Sequence, residues 1–212
     1  MPKYYPINLN LEGKKCVVVG AGSVAERKVR RLLECGARVE VVAPVATRRL
    51  EKLARAGKIT LKKKHISLRD IDNSFLVISA TGDRRINNLV SRYCQENRIL
   101  VNVADSPYEC NFTLPSIIKR GDLLIGISTS GASPALAKKI RKDLEKIFGK
   151  EYAAFLSLMK RLRPKVIAKI ENLNTRKKFF EKAVSRGIIQ LLKRGKEKQV
   201  KGKLEQMLKN VR

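Results

Sequence analysis

The stretch that decides the fold is VVVGAGSVAERK at residues 17–28. Three valines are typical of a buried strand, and the residues after them place apolar side chains at helical spacing. Gly20, Gly22 and Ala25 follow the order G-x-G-x-x-A, which binds a diphosphate when it joins a strand to a helix. Gly20 permits a tight turn, Gly22 lets a pyrophosphate approach the backbone, and Ala25 lets the helix lie close to the sheet. Glycines that only make a turn would not have to stand between a strand and a helix. The pattern therefore favours a dinucleotide site over a plain turn.

Strands and helices alternate around this stretch up to about residue 130. The predicted strands are 16–20, 38–44, 59–64, 75–81, 99–105 and 123–129, and the predicted helices are 23–35 and 84–96. This alternation predicts an α/β fold with a Rossmann-like, doubly wound parallel sheet.

A different pattern begins at residue 116. The turn residues 119–122 separate two strand-like pieces and leave no room for a crossover helix, which predicts an antiparallel hairpin. A helix follows, with Ser133 as N-cap, Pro134 in the first position and Gly149 at the end. Beyond this point the chain is predicted to be all helical, with pieces near 151–163, 174–194 and 197–209. The last piece has weak periodicity, and we expect it to be partly frayed.

Composition limits the classes of protein. No apolar run approaches the length of a membrane span, and the first ten residues lack the features of a signal peptide, so we expect a cytoplasmic protein without a membrane partner. The four cysteines form no CxxC pair, so we predict neither zinc nor disulfides but buried, inert thiols. The only histidine, His65, follows a lysine run and is not predicted to bind metal.

Charge is the strongest compositional signal. The net charge is +28, and from Lys150 onward there are 19 basic against 5 acidic residues. Such a chain attracts polyanions, but a lysine-rich surface without tryptophan also fits heat adaptation, and both explanations stay open. The basic tail shows no helix-turn-helix and no interleaved aromatic residues, so no specific nucleic-acid partner is predicted.

Several notable residues follow predicted strands. In an open parallel sheet, ligands bind outside the carboxyl ends of the strands. Gly20–Gly22, Pro44, Ala80–Gly82 and Asp105 all fall at such ends, so one crevice could hold them all. Asp105 is the only acid at the end of the fifth strand, which makes it a candidate general base, although it also suits a turn before 106–108 and the two roles are compatible.

The choice between NAD and NADP is left open by the spacing. Glu40 lies inside the second strand and should point away from the crevice, so we expect the adenosine ribose to meet the backbone at 43–45. Arg48 and Arg49 follow and could accept a 2′-phosphate.

Three separated motifs together resemble a known family. They are GAGSVAERKVRRLLECGARVEVVAP at 20–44, ATGDRRIN at 80–87 and VNVADSPYECNFTLPSIIKRGDLLIGISTSGASPALAKKIR at 101–141. In this order they resemble precorrin-2 dehydrogenase, the oxidase and ferrochelatase portion of siroheme synthase. Beyond Lys150 the resemblance rests on helical character and length.

The resemblance implies an enzyme of siroheme biosynthesis that uses NAD to oxidise precorrin-2, a tetrapyrrole, to sirohydrochlorin. It also implies a homodimer, and in some members a chelatase for iron or cobalt. It divides the chain into an NAD-binding Rossmann domain at 1–112, a dimerisation and active-site region at 113–149 and a basic helical domain at 150–212. One departure is Ser130, which stands where the family often has the first of two adjacent glycines.

The predicted site combines the residues that the motifs and the resemblance indicate. The catalytic residue is Asp105, the key acid of the family. The cofactor-binding residues are Gly20, Gly22, Ser23, Val24, Pro44, Val45, Ala80 and Thr81. The substrate-binding residues are Asn111, Thr113, Ser128, Thr129, Ser130 and Ser133, although the serine-rich stretch also suits plain helix capping. No metal ligand is predicted. The competing functions are a non-catalytic NAD-sensing module and, less favoured, a nucleic-acid binder.

Overall fold

The computed structural model describes residues 4–211, and the chain divides into two compact units, Met1–Leu114 and Pro115–Arg212. No helix within the described residues is long and apolar enough to cross a membrane.

The first unit is a five-stranded parallel sheet with helices on both faces. Its elements are β1 (Lys15–Val19), α1 (Ser23–Glu34), β2 (Arg38–Val42), α2 (Arg48–Arg55), β3 (Thr60–Lys62), β4 (Leu76–Ser79), α3 (Arg84–Glu96) and β5 (Leu100–Val103). The strand order is β3-β2-β1-β4-β5, so the chain changes direction across the sheet between β1 and β4. This switch point is where open α/β sheets bind their ligands. The predicted α/β fold with a doubly wound parallel sheet is confirmed.

The hydrophobic pattern of β1 explains why it is central. Cys16 and Val18 pack into one core with α1 and α2, while Val17 and Val19 pack into a second core with α3. A strand buried on both faces must be apolar at every position, and these four residues are at most 2% exposed.

Helix α2 was missed from the sequence. It begins after Thr47, whose hydroxyl accepts a hydrogen bond from Leu50 N at 3.5 Å. Leu50 is buried in the first core, and Leu53 and Ala54 pack against the same core, so the apolar spacing i, i+3, i+4 over one short stretch was the signal that was overlooked.

In the part of the second unit that the structure describes, residues 115–211, there are a hairpin and five helices. Its elements are β6 (Ser116–Arg120), β7 (Leu123–Ile127), α4 (Pro134–Ile147), α5 (Glu151–Lys169), α6 (Leu173–Ala183), α7 (Arg186–Lys193) and α8 (Glu197–Lys209). The antiparallel pairing of β6 with β7 confirms the predicted hairpin. Helix α4 begins at Pro134 after the predicted cap, but it ends at Ile147, two residues before Gly149.

Three expectations about the helical region were wrong. Helix α5 does not stop at residue 163 but continues through the exposed Pro164, because Leu162 and Val166 on its other face are buried. The single piece predicted at 174–194 is broken before Ser185 into α6 and α7, so that both helices reach the same core. The last piece is not frayed, since α8 buries three side chains at helical spacing, namely Val200, Leu204 and Leu208.

The expectation of buried thiols is confirmed for Cys16 and Cys94. Burial raises the pKa of the Cys16 thiol to about 11 and that of the Cys94 thiol to about 12. Cys110 is half-buried, and Cys35 is exposed because it follows α1 at the surface, so the prediction was wrong for Cys35.

Candidate functional site

The glycine turn, residues Gly20–Val24, is fixed by the backbone. Gly20 has a φ of +98°, and a Cβ placed on it would lie 2.5 Å from the carbonyl oxygen of Ala80. No larger residue fits there. Gly22 has ordinary backbone angles, and a Cβ on it would meet nothing within 4 Å. The open space above Gly22 is therefore available to a ligand.

The first turn of α1 leaves donors free. Gly22 occupies the N-cap position, and no side chain caps the helix. The amide groups at the start of a helix have no partner within it, and they attract anions together with the helix dipole. Ser23 is exposed and Val24 is half-buried, so both amides lie near the surface. These residues fit the diphosphate of a dinucleotide.

Backbone hydrogen bonds hold the loops after the strands side by side. Gly20 N donates to Val42 O at 2.9 Å, and Ala80 N donates to Val19 O at 2.8 Å. Ala104 N donates to Ser79 O at 2.8 Å, so the sheet pairing continues one residue beyond each strand. The ends of β2, β1, β4 and β5 thus form one continuous edge.

Asp105 belongs to this edge. It lies two strands from the glycine turn, which corresponds to about 10 Å at the usual strand spacing. Its side chain is exposed, and no hydrogen bond or ion pair to it occurs among the described residues. Its φ is +60°, in the left-handed region that Asp tolerates better than most residues.

The segment after Asp105 folds back onto β5. Cys110 Sγ accepts a hydrogen bond from Val103 N at 3.1 Å, and Asn111 N donates to Val101 O at 3.1 Å. The Asn111 side chain accepts from Val101 N at 2.7 Å and donates to Ile99 O at 2.8 Å. The oxygen and the nitrogen of the Asn111 side-chain amide therefore both stabilise the fold. Its contact with substrate stays a prediction. Thr113 is half-buried at the end of the first unit.

A buried polar cluster fixes the loop after β4. Asn87 is 7% exposed, and its side-chain oxygen accepts hydrogen bonds from Ser79 Oγ at 2.7 Å and from Thr81 Oγ1 at 2.8 Å. Its amide nitrogen donates to Thr81 O at 3.1 Å. The Thr81 side chain is thus engaged within the loop, and the exposed backbone of Gly82 is left for a ligand.

Lys28 is a basic neighbour of Asp105. Burial lowers the pKa of Lys28, and the charges of Arg27 and Arg31 lower it further, whereas Cys110 and Asp105 act in the opposite direction. A half-buried ammonium group therefore stands close enough to Asp105 for their charges to interact.

The serine loop, residues Ser128–Ser133, lies in the second unit and is held by hydroxyl groups. Ser128 Oγ accepts from Ser130 N at 3.1 Å, and Thr129 Oγ1 accepts from Ser133 N at 3.1 Å. Ser133 Oγ accepts from Leu136 N at 3.2 Å and caps α4, as predicted. Ser130 has a φ of +52°, so the left-handed conformation occurs here without a glycine. Each of the three accepting hydroxyls keeps its own proton for donation to an anion.

A family model described as putative NAD(P)-binding matches residues 7–116, which are more than half of the chain. The chain belongs to this NAD(P)-binding family. Two further models match the rest: the sirohaem biosynthesis protein central region at residues 120–147 and the sirohaem synthase dimerisation region at 151–208. The family resemblance and the dinucleotide cofactor predicted from the sequence are confirmed, and the individual cofactor-binding residues stay predictions.

The proteins to which this NAD(P)-binding chain is similar include siroheme synthases and a precorrin-2 dehydrogenase. It is 38% identical over 206 residues to siroheme synthase of Nitrosococcus oceani, covering 97% of this chain and 44% of that protein. Siroheme synthase of Ruthia magnifica subsp. Calyptogena magnifica is 36% identical over 205 residues, with 97% and 43% covered. The chain thus spans less than half the length of these curated relatives. Among solved structures, SirC, a precorrin-2 dehydrogenase, matches with a TM-score of 0.79 and 27% identity over 96% of this chain and all of that one.

Sequence reasoning did not identify three residues that shape the site. Asn87 and Ser79 form the buried cluster under the loop after β4, and Lys28 brings a positive charge towards Asp105. Asn87 lies on the inner face of α3, beside the buried Val90, so a polar residue on an apolar helix face was the available signal. Lys28 gives no such signal, because it lies among other basic residues of α1.

Proposed function

We propose that this chain is an NAD-dependent precorrin-2 dehydrogenase, which oxidises precorrin-2 to sirohydrochlorin. The observation that carries the proposal is the position of Asp105, an exposed carboxylate two strands from the glycine turn on the same edge of the sheet. The names of the siroheme synthases and of SirC support the choice of substrate.

The cofactor is assigned to the switch point of the sheet. The amides of Gly22, Ser23 and Val24 would hold the diphosphate, and the backbone around Pro44 and Val45 would meet the adenosine ribose. The loop at Ala80 and Thr81 lies between the glycine turn and Asp105, where the nicotinamide half would extend. Bound NAD supplies the acceptor for the hydride that the substrate loses.

We assign the transfer of the proton to Asp105. Oxidation of precorrin-2 removes one hydride and one proton from neighbouring positions, and the products are sirohydrochlorin, NADH and a proton. The carboxylate of Asp105 takes or directs that proton. Lys28 provides a positive charge near the same place.

The substrate carries several carboxylates, and the protein carries matching donors. Ser128, Thr129 and Ser133 each retain a hydroxyl proton, and the serine loop opens the 14-residue helix α4. These residues and Thr113 are the proposed substrate contacts.

We assign the active form to a homodimer. The helices at residues 151–208 match a sirohaem synthase dimerisation region. Sedimentation of the purified chain should give twice the monomer mass of 23.9 kDa, and a monomer at micromolar concentration would contradict this assignment. We also propose that the protein is located in the cytoplasm, as predicted from the sequence.

An anaerobic assay tests the reaction. Purified protein mixed with precorrin-2 and NAD should produce the absorbance of sirohydrochlorin together with that of NADH in equal amounts. Binding of NAD and NADH without any turnover of intact precorrin-2 would instead identify a sensing module. A second incubation with sirohydrochlorin and Fe(II) or Co(II) tests for chelatase activity.

The substitution Asp105→Asn isolates the role of the carboxylate. Asn removes the charge but also tolerates the left-handed backbone, whereas Ala would strain the turn. We expect kcat to fall by at least about 100-fold, the low end for loss of a general base, while NAD binding measured by calorimetry persists. Asp143→Asn removes an exposed carboxylate from α4 and serves as the control. Turnover by Asp105→Asn close to that of the control would remove Asp105 from the mechanism.

A further inference from the structure

Tyr108 is an aromatic residue whose side chain lies almost wholly in water. It is 97% exposed, more than any other large apolar or aromatic residue within residues 4–211. A single exposed aromatic residue is common on protein surfaces. Tyr108 differs in its place, because it comes three residues after Asp105, beyond the carboxyl end of β5, where parallel sheets bind their ligands. Its ring is therefore available to a ligand of the proposed site.

The loop that carries Tyr108, residues 104–109, is fixed at both ends. It begins where β5 ends and returns beside the same strand, since Val103 N donates a hydrogen bond to Cys110 Sγ at 3.1 Å. The Cys110 thiol in turn donates to Ser106 O at 3.2 Å. These two hydrogen bonds hold the loop at the end of β5.

A buried hydrogen bond fastens the same loop to α3. Ser91 is 3% exposed, and its hydroxyl donates to Glu109 O at 2.6 Å. Pro107 restricts the backbone directly before Tyr108. A tyrosine on a rigid backbone loses little conformational entropy when it binds, because only two side-chain torsion angles have to be fixed. Tyr108 is therefore preorganised for a contact, although its ring has almost none within the chain.

The surroundings of Asp105 combine an aromatic ring with a positive charge. The ring of Tyr108 comes from the loop that is bonded to α3, and the ammonium group of Lys28 comes from α1 on the other face of the sheet. A ring system with carboxylates on its rim matches this combination. Its apolar face can cover the aromatic side chain while a carboxylate approaches the ammonium group.

We propose that Tyr108 packs against the macrocyclic ring of the substrate and holds it beside Asp105. This inference rests on the proposed dehydrogenase function, because that function supplies the tetrapyrrole. Precorrin-2 and sirohydrochlorin both contain the macrocycle, so both should bind through this contact. NAD is assigned to the glycine turn, two strands away, so its affinity should not depend on Tyr108.

Binding of sirohydrochlorin to the full chain, followed anaerobically by the change in its absorbance, tests the contact. Tyr108→Ala should raise the Kd of sirohydrochlorin by about tenfold, whereas Tyr108→Phe keeps the ring and should bind like the unchanged chain. In turnover, Tyr108→Ala should raise the KM of precorrin-2 by a similar factor and keep kcat within about threefold, since a contact made equally in the ground state and the transition state affects KM alone. The Kd of NAD should stay the same in both variants.

Phe75→Ala is the control. Phe75 is also an exposed aromatic residue, at 36%, but its backbone N–H donates to the carbonyl oxygen of Lys15, the first residue of β1, so it lies at the opposite edge of the sheet. Equal Kd values of sirohydrochlorin for Tyr108→Ala and Phe75→Ala would overturn the inference and leave the proposed dehydrogenase intact. A loss in Tyr108→Phe as large as that in Tyr108→Ala would overturn it too, because the hydroxyl and not the ring would then make the contact.

Two further results separate this inference from its rivals. If Tyr108→Ala sediments as a monomer at a concentration where the unchanged chain is a dimer, the ring packs against a second copy of the chain, and the inference is overturned. If the unchanged chain binds NAD but neither precorrin-2 nor sirohydrochlorin, the inference and the proposed function fail together.

Discussion

The glycine turn and the serine loop are both predicted to bind anions, but they are held by different parts of the chain. In the glycine turn, the backbone of Gly20 packs against the carbonyl oxygen of Ala80, and no side chain caps α1. In the serine loop, three hydroxyl groups accept hydrogen bonds from backbone amides. The first loop therefore depends on the absence of side chains and the second on their presence.

This difference has a consequence for substitutions. A close backbone approach cannot relax around an added methyl group, whereas a lost hydroxyl contact at the surface is replaced by water. We therefore expect the glycine turn to be more sensitive than the serine loop.

Gly20→Ala should have the largest effect. The added Cβ would lie 2.5 Å from Ala80 O, and the φ of +98° is unfavourable for any L residue with a side chain. We expect the free energy of unfolding to fall by about 3 kcal/mol in urea titrations, because steric overlap and backbone strain act together. A loss below about 1 kcal/mol would show that the turn can move away from Ala80.

Gly22→Ala is the matched control. Its backbone angles suit any residue, and its Cβ would meet nothing in the protein, so we expect stability to change by less than about 0.5 kcal/mol. NAD affinity should nevertheless fall, because the methyl group would occupy the space that the diphosphate needs. Loss of stability together with NAD binding would mean that Gly22, like Gly20, serves the fold.

Asn87→Ala extends the comparison to side-chain hydrogen bonds that are buried. Asn87 is 7% exposed, and its loss would leave the fully buried Ser79 hydroxyl without this acceptor. We expect a loss of about 2 kcal/mol in urea unfolding, the typical cost of an unsatisfied buried polar group. Asn88→Ala changes the exposed neighbour on the same helix and is the control. Equal stability of the two variants would show that the loop after β4 is held by its backbone alone.

The sequence predicted those parts of the site that depend on local pattern. The order of glycines between β1 and α1 predicts both the turn and the ligand, because tight turns restrict the choice of residue. The positions of Pro44, Ala80 and Asp105 follow from the same rule, since each lies within two residues of the end of a strand of the parallel sheet.

Features that depend on tertiary packing were not predictable in this way. The pairing of Glu40 with Lys62 joins two strands whose register cannot be derived from either one. The continuation of α5 through Pro164 reflects burial of residues on the opposite face, which outweighs the local preference of proline. The left-handed backbone of Asp105 has no sequence signal beyond the tolerance of Asp for that region.

Among the substitutions expected to destabilise the fold, Ser133→Ala should have the smallest effect. The hydroxyl accepts a hydrogen bond from Leu136 N and caps α4, and replacing such a cap by Ala costs about 1 kcal/mol. Hydrogen exchange at the Leu136 amide should become faster, because this donor loses its partner, and Ser133→Thr should restore the slow rate since Thr also caps helices. Unchanged exchange in Ser133→Ala would mean that the backbone orders the start of α4 without the hydroxyl, and the serine loop would then resemble the glycine turn in depending on main-chain geometry.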